Sequence, residues 1–232
     1  MYFMGKINLT LEKKMKKIVC LFVCLFVSSA NAGIIEHISN GDFETGDLSG
    51  WNVVNTGSGA WNINDGTFSP GGFTPLAPIG SGFDAVTSQG GPGFHNLFQD
   101  VSLGTFDSAI LSWDDRIRSG AGFSDPNQEW RVLIEDLSGG LISEVFSTNP
   151  GDNTTQIGPN SRSFDLTSIL SPFANQSIRI SFEEQDNLFF FSAALDNVSF
   201  TTETTAVPEP ASIALFSLGL AGLGFSRRKK SA

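Results

Sequence analysis

The chain has 232 residues, a formal net charge of −10 and an isoelectric point of about 4.5. Residues 33–205 carry 22 Asp and Glu against five Arg and no Lys, a net charge of −17, which excludes binding to phosphate backbones of nucleic acids and to anionic membrane surfaces. Both cysteines, Cys20 and Cys24, precede this region, so it can form neither a disulfide nor a thiolate metal site.

The N-terminus has the pattern of a secretory signal peptide. Four lysines within residues 13–17 precede the apolar stretch 18–27, which is too short for a permanent membrane span. We predict a signal peptide over residues 1–32, with translation starting at Met1 or at Met15. Signal peptidase is the expected processing enzyme. The predicted cleavage site consists of Ala30, Ala32 and Gly33.

Residues 33–205 predict one all-β domain. Ile178, Ile180 and Phe182 alternate with polar residues, as does the series over 129–135, and both have the period of two that is typical of half-buried strands. No stretch has a convincing amphipathic helical pattern. The further strand candidates, in chain order, are 34–39, 51–55, 60–63, 83–88, 97–103, 110–118, 141–147, 161–166 and 193–201.

Turn residues separate these candidate strands. Gly139-Gly140 predicts a tight hairpin turn, residues 149–152 a longer connection, and residues 167–173 a short helical turn. Eight to ten short strands about ten residues apart predict a two-sheet antiparallel sandwich of the jelly-roll type. Residues 64–82 contain Gly or Pro throughout and predict a long loop, which is either a functional loop or a plain surface excursion.

Two short motifs bracket the predicted domain. It opens with Asn40-Gly41-Asp42-Phe43-Glu44 followed by Leu48-Ser49-Gly50-Trp51, and it closes with Leu195-Asp196-Asn197-Val198-Ser199-Phe200. Together these motifs resemble galactose-binding-like domains and carbohydrate-binding jelly rolls of the family 4, 9 and 22 type. The resemblance implies a structural calcium ion that ties the first strand to the last. Its expected ligands are Asp42, Glu44 and Asp196, with the Gly41 carbonyl as a further candidate.

Strand parity offers a separate argument about Asp196. It shares parity with Val198 and Phe200, so its carboxylate should point inward if no bulge intervenes. A buried carboxylate needs a partner. Calcium is one partner, and an arginine or backbone N–H groups are the alternatives.

Sugar binding requires a flat aromatic surface flanked by polar side chains. Among the four tryptophans, Trp51 and Trp130 fit core positions, whereas Trp61 adjoins Asn62 and Asn64 at the start of the long loop. We therefore take Trp61, Asn62 and Asn64 as the candidate ligand-binding residues. The run Phe189-Phe190-Phe191 indicates either a strand covered on both sides or an exposed patch for a partner.

The sequence does not point to an enzyme. Asp114-Asp115 and Glu183-Glu184 are adjacent pairs, and on a strand their side chains point to opposite faces, so neither pair could act on one glycosidic bond. No nucleophile elbow, HExxH sequence or phosphate loop is present. We predict a non-catalytic domain.

The last 26 residues have three parts in a fixed order. They begin with Val207, Pro208, Glu209 and Pro210, continue with the apolar run 211–225, and end with Arg227, Arg228, Lys229 and Lys230. Fifteen apolar residues form a helix of about 22 Å, which spans a bilayer only marginally, and the basic tail places the domain outside that membrane.

This arrangement resembles the PEP-CTERM sorting signal. The resemblance implies a Gram-negative bacterium, a transient C-terminal membrane anchor over 206–232, and processing by exosortase to a cell-surface or extracellular product. The expected function is a surface or matrix protein that contacts extracellular polysaccharide. The alternatives are a purely structural biofilm or envelope component, and a diverged glycoside-active enzyme.

Overall fold

The computed structural model describes residues 32–205 except 70–73, 81 and 89–90. Within this part, eleven strands and one short helical segment follow one another. The strands are β1 (Gly33–Glu36), β2 (Asn52–Gly57), β3 (Ala60–Asn64), β4 (Asp84–Ser88), β5 (Gly93–Ser102), β6 (Ser108–Ser119), β7 (Gln128–Glu135), β8 (Leu141–Ser147), β9 (Asn160–Asp165), β10 (Ser177–Asp186) and β11 (Phe191–Thr204). Helix α1 (Thr167–Leu170) runs into a 3₁₀ turn over Ser171–Phe173, as the sequence predicts.

The strands form a two-sheet antiparallel sandwich. One sheet has the order β3-β4-β11-β6-β9, with β1 also paired to β11, and the other has the order β2-β5-β10-β7-β8. We call these the six-stranded and the five-stranded sheet. The prediction of an all-β antiparallel sandwich is confirmed, and residues Ile34–Thr204 form one unit with its own hydrophobic core.

The core is built from aromatic rings at alternate strand positions. Phe182 on β10 lies between three tryptophans, with ring centroids 6.0 Å from Trp51, 5.7 Å from Trp113 and 6.2 Å from Trp130. All four rings are buried, so the alternation in the sequence places the apolar half of each strand between the sheets. Aromatic pairs at these separations add to the free energy of burial.

The β7–β8 connection shows how local sequence sets a hairpin. The predicted Gly139-Gly140 turn is part of a connection over 136–140, in which Gly139 adopts φ 85° and its N–H donates to the Asp136 carbonyl. Asp136 Oδ1 accepts the backbone N–H of Ser138 and of Gly140. A glycine is needed here because other residues rarely adopt positive φ.

Strand β11 carries a bulge that changes the expected direction of Asp196. The pairing register between β6 and β11 shifts between Asp196 and Ser199, so Asp196 leaves the parity of Val198 and Phe200. It points away from the core, on the same side as Ala194. Asp196 is nonetheless buried, because Gly80 lies against its carboxylate on that side of the sheet.

The predicted signal peptide and the C-terminal segment 206–232 lie outside the described residues, except that Ala32 and Gly33 are described. No helix within the described ranges has the length and apolar character needed to cross a bilayer.

Candidate functional site

Trp61, the candidate aromatic platform, faces the core. Its side chain is 4% exposed, and its ring centroid lies 5.9 Å from that of Trp130 on the opposite sheet. Its backbone N–H donates to Asn55 Oδ1, which fixes β3 against β2. The structure therefore leaves no solvent-facing indole at this position.

Asn62 and Asn64 point away from the core, because they alternate with Trp61 along β3. They pair in register with Val86 and Asp84 of β4. Asn64 is buried and its Oδ1 accepts the Gly66 N–H, while Asn62 Nδ2 donates to the Ala60 carbonyl. Both amides thus make local hydrogen bonds beside the long loop.

The same side of the six-stranded sheet carries a group of carboxylates under the end of the long loop. We call it the acidic cluster, and its members are Glu44, Asp84, Asp114 and Asp196. Asp84 Oδ2 accepts the Ile79 N–H at 2.8 Å, and Glu44 Oε1 accepts the Phe83 N–H at 3.2 Å.

Two glycines let the loop approach these carboxylates. A Cβ atom on Gly80 would lie 2.0 Å from Asp196 Oδ2, and one on Gly82 would lie 2.3 Å from Glu44 Oε2. Larger residues would therefore push the loop off the cluster. The two motifs at the ends of the domain meet here, since Glu44 belongs to the opening motif and Asp196 to the closing one.

Two members of the acidic cluster, Asp84 and Asp196, are buried, which makes their negative charges costly. Burial raises the pKa of Asp84 to about 6, although the Ile79 N–H and the Arg116 guanidinium, 3.8 Å away, oppose the rise. Burial also raises the pKa of Asp196 to about 7, and the charges of Asp84, Asp114 and Glu44 add to this effect. Asp84 Oδ1 is buried and accepts no hydrogen bond from the described residues.

The candidate calcium ligands do not form a ready-made cage. Within the described ranges, no group of three or more His, Cys, Asp or Glu side chains is arranged to hold a metal ion. Asp42 is exposed and its Oδ1 accepts the Glu44 N–H, while the Gly41 carbonyl accepts the Val198 N–H. The structure brings Glu44 and Asp196 to the same loop and leaves Asp42 in a local turn.

The five-stranded sheet carries polar side chains on the side away from the core. We call them the outer polar layer, made of Asn96, Glu129, Arg131, Glu183 and Gln185. Glu183 is directly opposite Asn96 on β5 and Arg131 on β7, so the three form one row across the sheet. These positions alternate with Trp130, Val132, Phe182 and Leu97, which fill the core.

Arg131 holds this layer together. Its Nε donates to Glu183 Oε2 at 2.7 Å, and its Nη1 lies 3.6 Å from Glu129 Oε2. Asn96 Nδ2 donates to Glu183 Oε1 at 3.0 Å. Burial raises the pKa of both glutamates, while the Arg131 charge opposes the rise.

Two buried acceptors remain in the outer polar layer. Asn96 Oδ1 and Glu129 Oε2 accept no hydrogen bond from any described residue. Half-buried Phe94 and Phe98 lie beside them on β5, and the Arg179 guanidinium sits 3.8 Å above the Phe98 ring. The layer therefore combines amide, carboxylate and guanidinium side chains with neighbouring aromatic rings.

The sequence analysis did not select these residues, because none belongs to a recognisable motif. The sequence signal that could have found these residues is their alternation with core residues along each strand. The alternation that assigns Trp130 and Phe182 to the core also assigns Arg131 and Glu183 to the opposite side, and β5 does the same with Leu97 and Asn96.

The three consecutive phenylalanines divide between the expected alternatives. Phe191 is fully buried in the core at the start of β11, whereas Phe189 is 60% exposed and Phe190 is half-buried. Gln128 fixes this connection, since its Nε2 donates to the Phe189 carbonyl and its Oε1 accepts the Leu188 N–H.

Comparison with known sequences identifies the C-terminus. The family model described as the PEP-CTERM protein-sorting motif matches residues 206–229. The chain carries a PEP-CTERM sorting motif. Proteins with this motif are exported and sorted to the cell surface, and the motif implies processing by exosortase. No curated protein sequence matches the chain.

Several solved β-sandwich structures are similar to the domain at low identity. One is TmCBM61 in complex with β-1,4-galactotriose, with 14% identity and a TM-score of 0.47, covering 72% of this chain and 97% of that one. Another is the CBM22-1 xylan-binding domain from Paenibacillus barcinonensis, with 14% identity and a TM-score of 0.45, covering 77% and 100%. A third is the Stig cyclase Fisc from Fischerella sp. TAU, with 14% identity and a TM-score of 0.47, covering 75% and 100%. Carbohydrate-binding modules and enzyme domains thus both occur among these similar folds.

Proposed function

We propose that this protein is a non-catalytic surface or matrix protein that contacts extracellular polysaccharide through the outer polar layer. The observation that carries the proposal is the row Asn96, Glu183 and Arg131, which lies beside the half-buried rings of Phe94 and Phe98. Sugar hydroxyls form hydrogen bonds with amide, carboxylate and guanidinium groups such as these, and the apolar face of a pyranose suits Phe94 and Phe98.

The sorting motif supports the proposal from a second direction. A protein delivered to the cell surface meets extracellular polysaccharide at high local concentration, so even weak contacts would be occupied. The strand order is consistent with a jelly roll.

We further propose that residues 1–32 are a signal peptide, that 33–205 are the exported domain, and that 206–232 anchor the protein in a Gram-negative inner membrane during transit.

Two asparagine substitutions test which sheet binds. The probe is the polysaccharide purified from the matrix of the producing bacterium, and binding is measured by retardation of the exported protein in affinity gels. Asn96→Ala should weaken binding about fivefold, the equivalent of one lost hydrogen bond. Asn62→Ala is the matched control on the other sheet and should bind as wild type.

Two results would contradict the proposal. In the first, the wild-type protein shows no retardation. In the second, Asn62→Ala loses binding while Asn96→Ala keeps it, and this result would favour the site near Trp61 that the sequence suggested. Release of reducing ends from the bound polysaccharide would instead establish an enzyme.

We also propose that calcium binds at the acidic cluster. Glu44 and Asp196 would be its protein carboxylates, with Asp42 and the Gly41 carbonyl as the further candidates from the sequence. Oxygen donors of this kind suit calcium, and the buried Asp84 Oδ1 accepts no hydrogen bond from the described residues. When bound, the ion would stabilise the charge of Asp196, whose pKa burial raises to about 7.

The calcium proposal is tested by thermal unfolding. Calcium should raise the melting temperature of the exported protein and EDTA should lower it, since a ligand that binds only the folded state stabilises that state. Asp196→Asn should remove the calcium response. Equal melting temperatures in calcium and in EDTA would contradict the proposal that the domain binds calcium.

A further inference from the structure

Strand β2 has an open edge. It ends the five-stranded sheet, so in the described part of the chain β5 is the only strand paired with its backbone. All six of its residues are exposed, including Val53 at 38% and Val54 at 42%. Backbone N–H and C=O groups along such an edge are free to pair with another strand.

The devices that usually protect an edge strand are missing from β2. Its sequence, NVVNTG, has no charge and no proline, and it pairs with β5 without a register shift from Asn52 to Gly57. At the other end of the same sheet, β8 contains Glu144 and shows two register irregularities against β7. In the six-stranded sheet, β9 contains Arg162 and Asp165, and no residue of β3 is exposed.

The charge distribution distinguishes β2 further. Residues 48–64 and 85–99 contain no Asp, Glu, Lys or Arg, so β2 and the adjoining part of β5 form an uncharged strip. The domain around this strip carries a net charge of −17. Two copies of the domain therefore repel each other over most of their surfaces. The repulsion is weakest when the uncharged strip of one copy faces the uncharged strip of the other.

We propose that β2 pairs antiparallel with β2 of a second copy of this chain. A two-fold axis perpendicular to the sheet would join the two five-stranded sheets into one continuous sheet, and each strand would supply the donors and acceptors that the other lacks. Pairing would remove the Val53 side chain from water on one face of the joined sheet and the Val54 side chain on the other. The second copy meets no charged side chain on β2.

This arrangement has a consequence that rests on the proposed function. The two outer polar layers would lie on the same side of the joined sheet, so one polysaccharide chain could contact both. Two linked weak sites bind a polymer more tightly than either site alone. Self-association itself does not depend on sugar binding and is tested without it.

Introduced thiols map the pairing. Residues 33–205 contain no cysteine, so one substitution adds the only thiol of the exported protein. Asn52→Cys, Val54→Cys and Thr56→Cys place it at successive positions on one face of β2. At high protein concentration under mild oxidation, the position nearest the two-fold axis should form a disulfide-linked dimer fastest. Leu141→Cys, on the exposed edge strand β8, is the matched control and should form no disulfide-linked dimer.

Sedimentation then tests the interaction without a covalent link. Over about a hundredfold range of concentration, the exported protein should shift from monomer to dimer. Val54→Lys should abolish the shift, because two like charges would face each other across the new pair. Val54→Thr and Leu141→Lys should keep it, and unchanged tryptophan fluorescence will show that each variant is folded.

Three results would overturn the proposal: a wild-type protein that stays monomeric throughout, Val54→Lys that still dimerises, or cross-linking as fast through Leu141→Cys as through the β2 series. If the protein dimerises as expected but binds no polysaccharide, the proposed function fails and the pairing stands.

Discussion

At the scale of single residues, the interior of the sandwich contains a carboxyl group that has little to hold its charge. Glu184 is fully buried on β10 between His95 and Trp130, and neither oxygen accepts a hydrogen bond of normal geometry from the described residues. Burial raises the pKa of Glu184 to about 8, and the nearby Thr87 hydroxyl offsets only part of the rise. The group is therefore largely protonated at neutral pH.

This predicts a loss of stability at alkaline pH. The folded pKa lies above the ordinary value of 4.5, so the contribution of Glu184 is complete below about pH 4.5 and is lost as the pH rises through about 8. Glu184→Gln should flatten this decline, as measured by urea unfolding at pH 5 and pH 8. The exposed Glu144→Gln should leave the decline unchanged, and an equal pH slope in wild type and Glu184→Gln would contradict the prediction.

Two arginine–aspartate ion pairs have similar geometry but differ in how deeply the aspartate is buried, and burial sets how much each pair matters for stability. Arg162 Nη2 donates to Asp115 Oδ1 at 3.0 Å, and Arg179 Nη2 donates to Asp100 Oδ2 at 3.1 Å. The side chain of Asp115 is fully buried, whereas that of Asp100 is 40% exposed. Only the first pair would leave a buried charge unpaired if it were broken.

We therefore expect unequal effects from equal substitutions. Arg162→Gln should destabilise the domain by about 3–5 kcal/mol, because it leaves the buried Asp115 carboxylate without its cation, and Arg179→Gln by about 1 kcal/mol or less, because Asp100 is partly exposed. Denaturant unfolding of both variants at one pH provides the measurement. Similar losses in the two variants would show that burial does not control these pairs.

At the scale of elements, the covering of the acidic cluster depends on a loop rather than on a strand. Residues 77–80 pass over the outer side of the six-stranded sheet, where the Ala77 carbonyl accepts a hydrogen bond from Arg116 Nη1 at 3.0 Å. Gly80 fits against Asp196 only because it has no side chain. The bulge in β11 and this glycine thus act together to bury Asp196.

Gly80→Ala should separate the loop from the sheet. Its Cβ would meet Asp196 Oδ2 at 2.0 Å, so the loop must shift, and we expect destabilisation of about 1–3 kcal/mol with a lower melting temperature. Gly104→Ala, where a Cβ meets nothing within 4 Å, is the matched control and should be nearly neutral. An unchanged melting temperature for Gly80→Ala would mean that the contact is unimportant.

At the scale of the whole molecule, the sorting motif determines where the sandwich operates. The motif occupies residues 206–229, directly after the last described residue of the domain. A cysteine-free, strongly acidic sandwich is suited to this fate, because its net negative charge favours solubility and it needs no disulfide formation after export.

Processing can be checked by mass spectrometry of the exported protein. Replacing Pro208, Glu209 and Pro210 together by alanine should block maturation, because exosortase would no longer recognise the segment, and the product should retain its mass up to Ala232. Replacing Thr204 and Thr205 by alanine is the control and should leave processing intact. Normal processing of the triple variant would contradict the sorting assignment.

The sequence by itself determined the sorting motif, the positions of the strands and the all-β class. These features are local, since a period of two and a turn residue are set by neighbours in the chain. The same alternation correctly separates Glu183, on the outer side, from Glu184, in the core.

Only the tertiary structure decided what surrounds each side chain. The β11 bulge turned Asp196 away from the core, and Trp61 packed against Trp130 from the other sheet. The outer polar layer arose because β10 lies between β5 and β7, which are distant in the sequence. Parity along one strand gives the face of a residue, but its partners depend on which strands become neighbours, and long-range packing of the whole sandwich selects them.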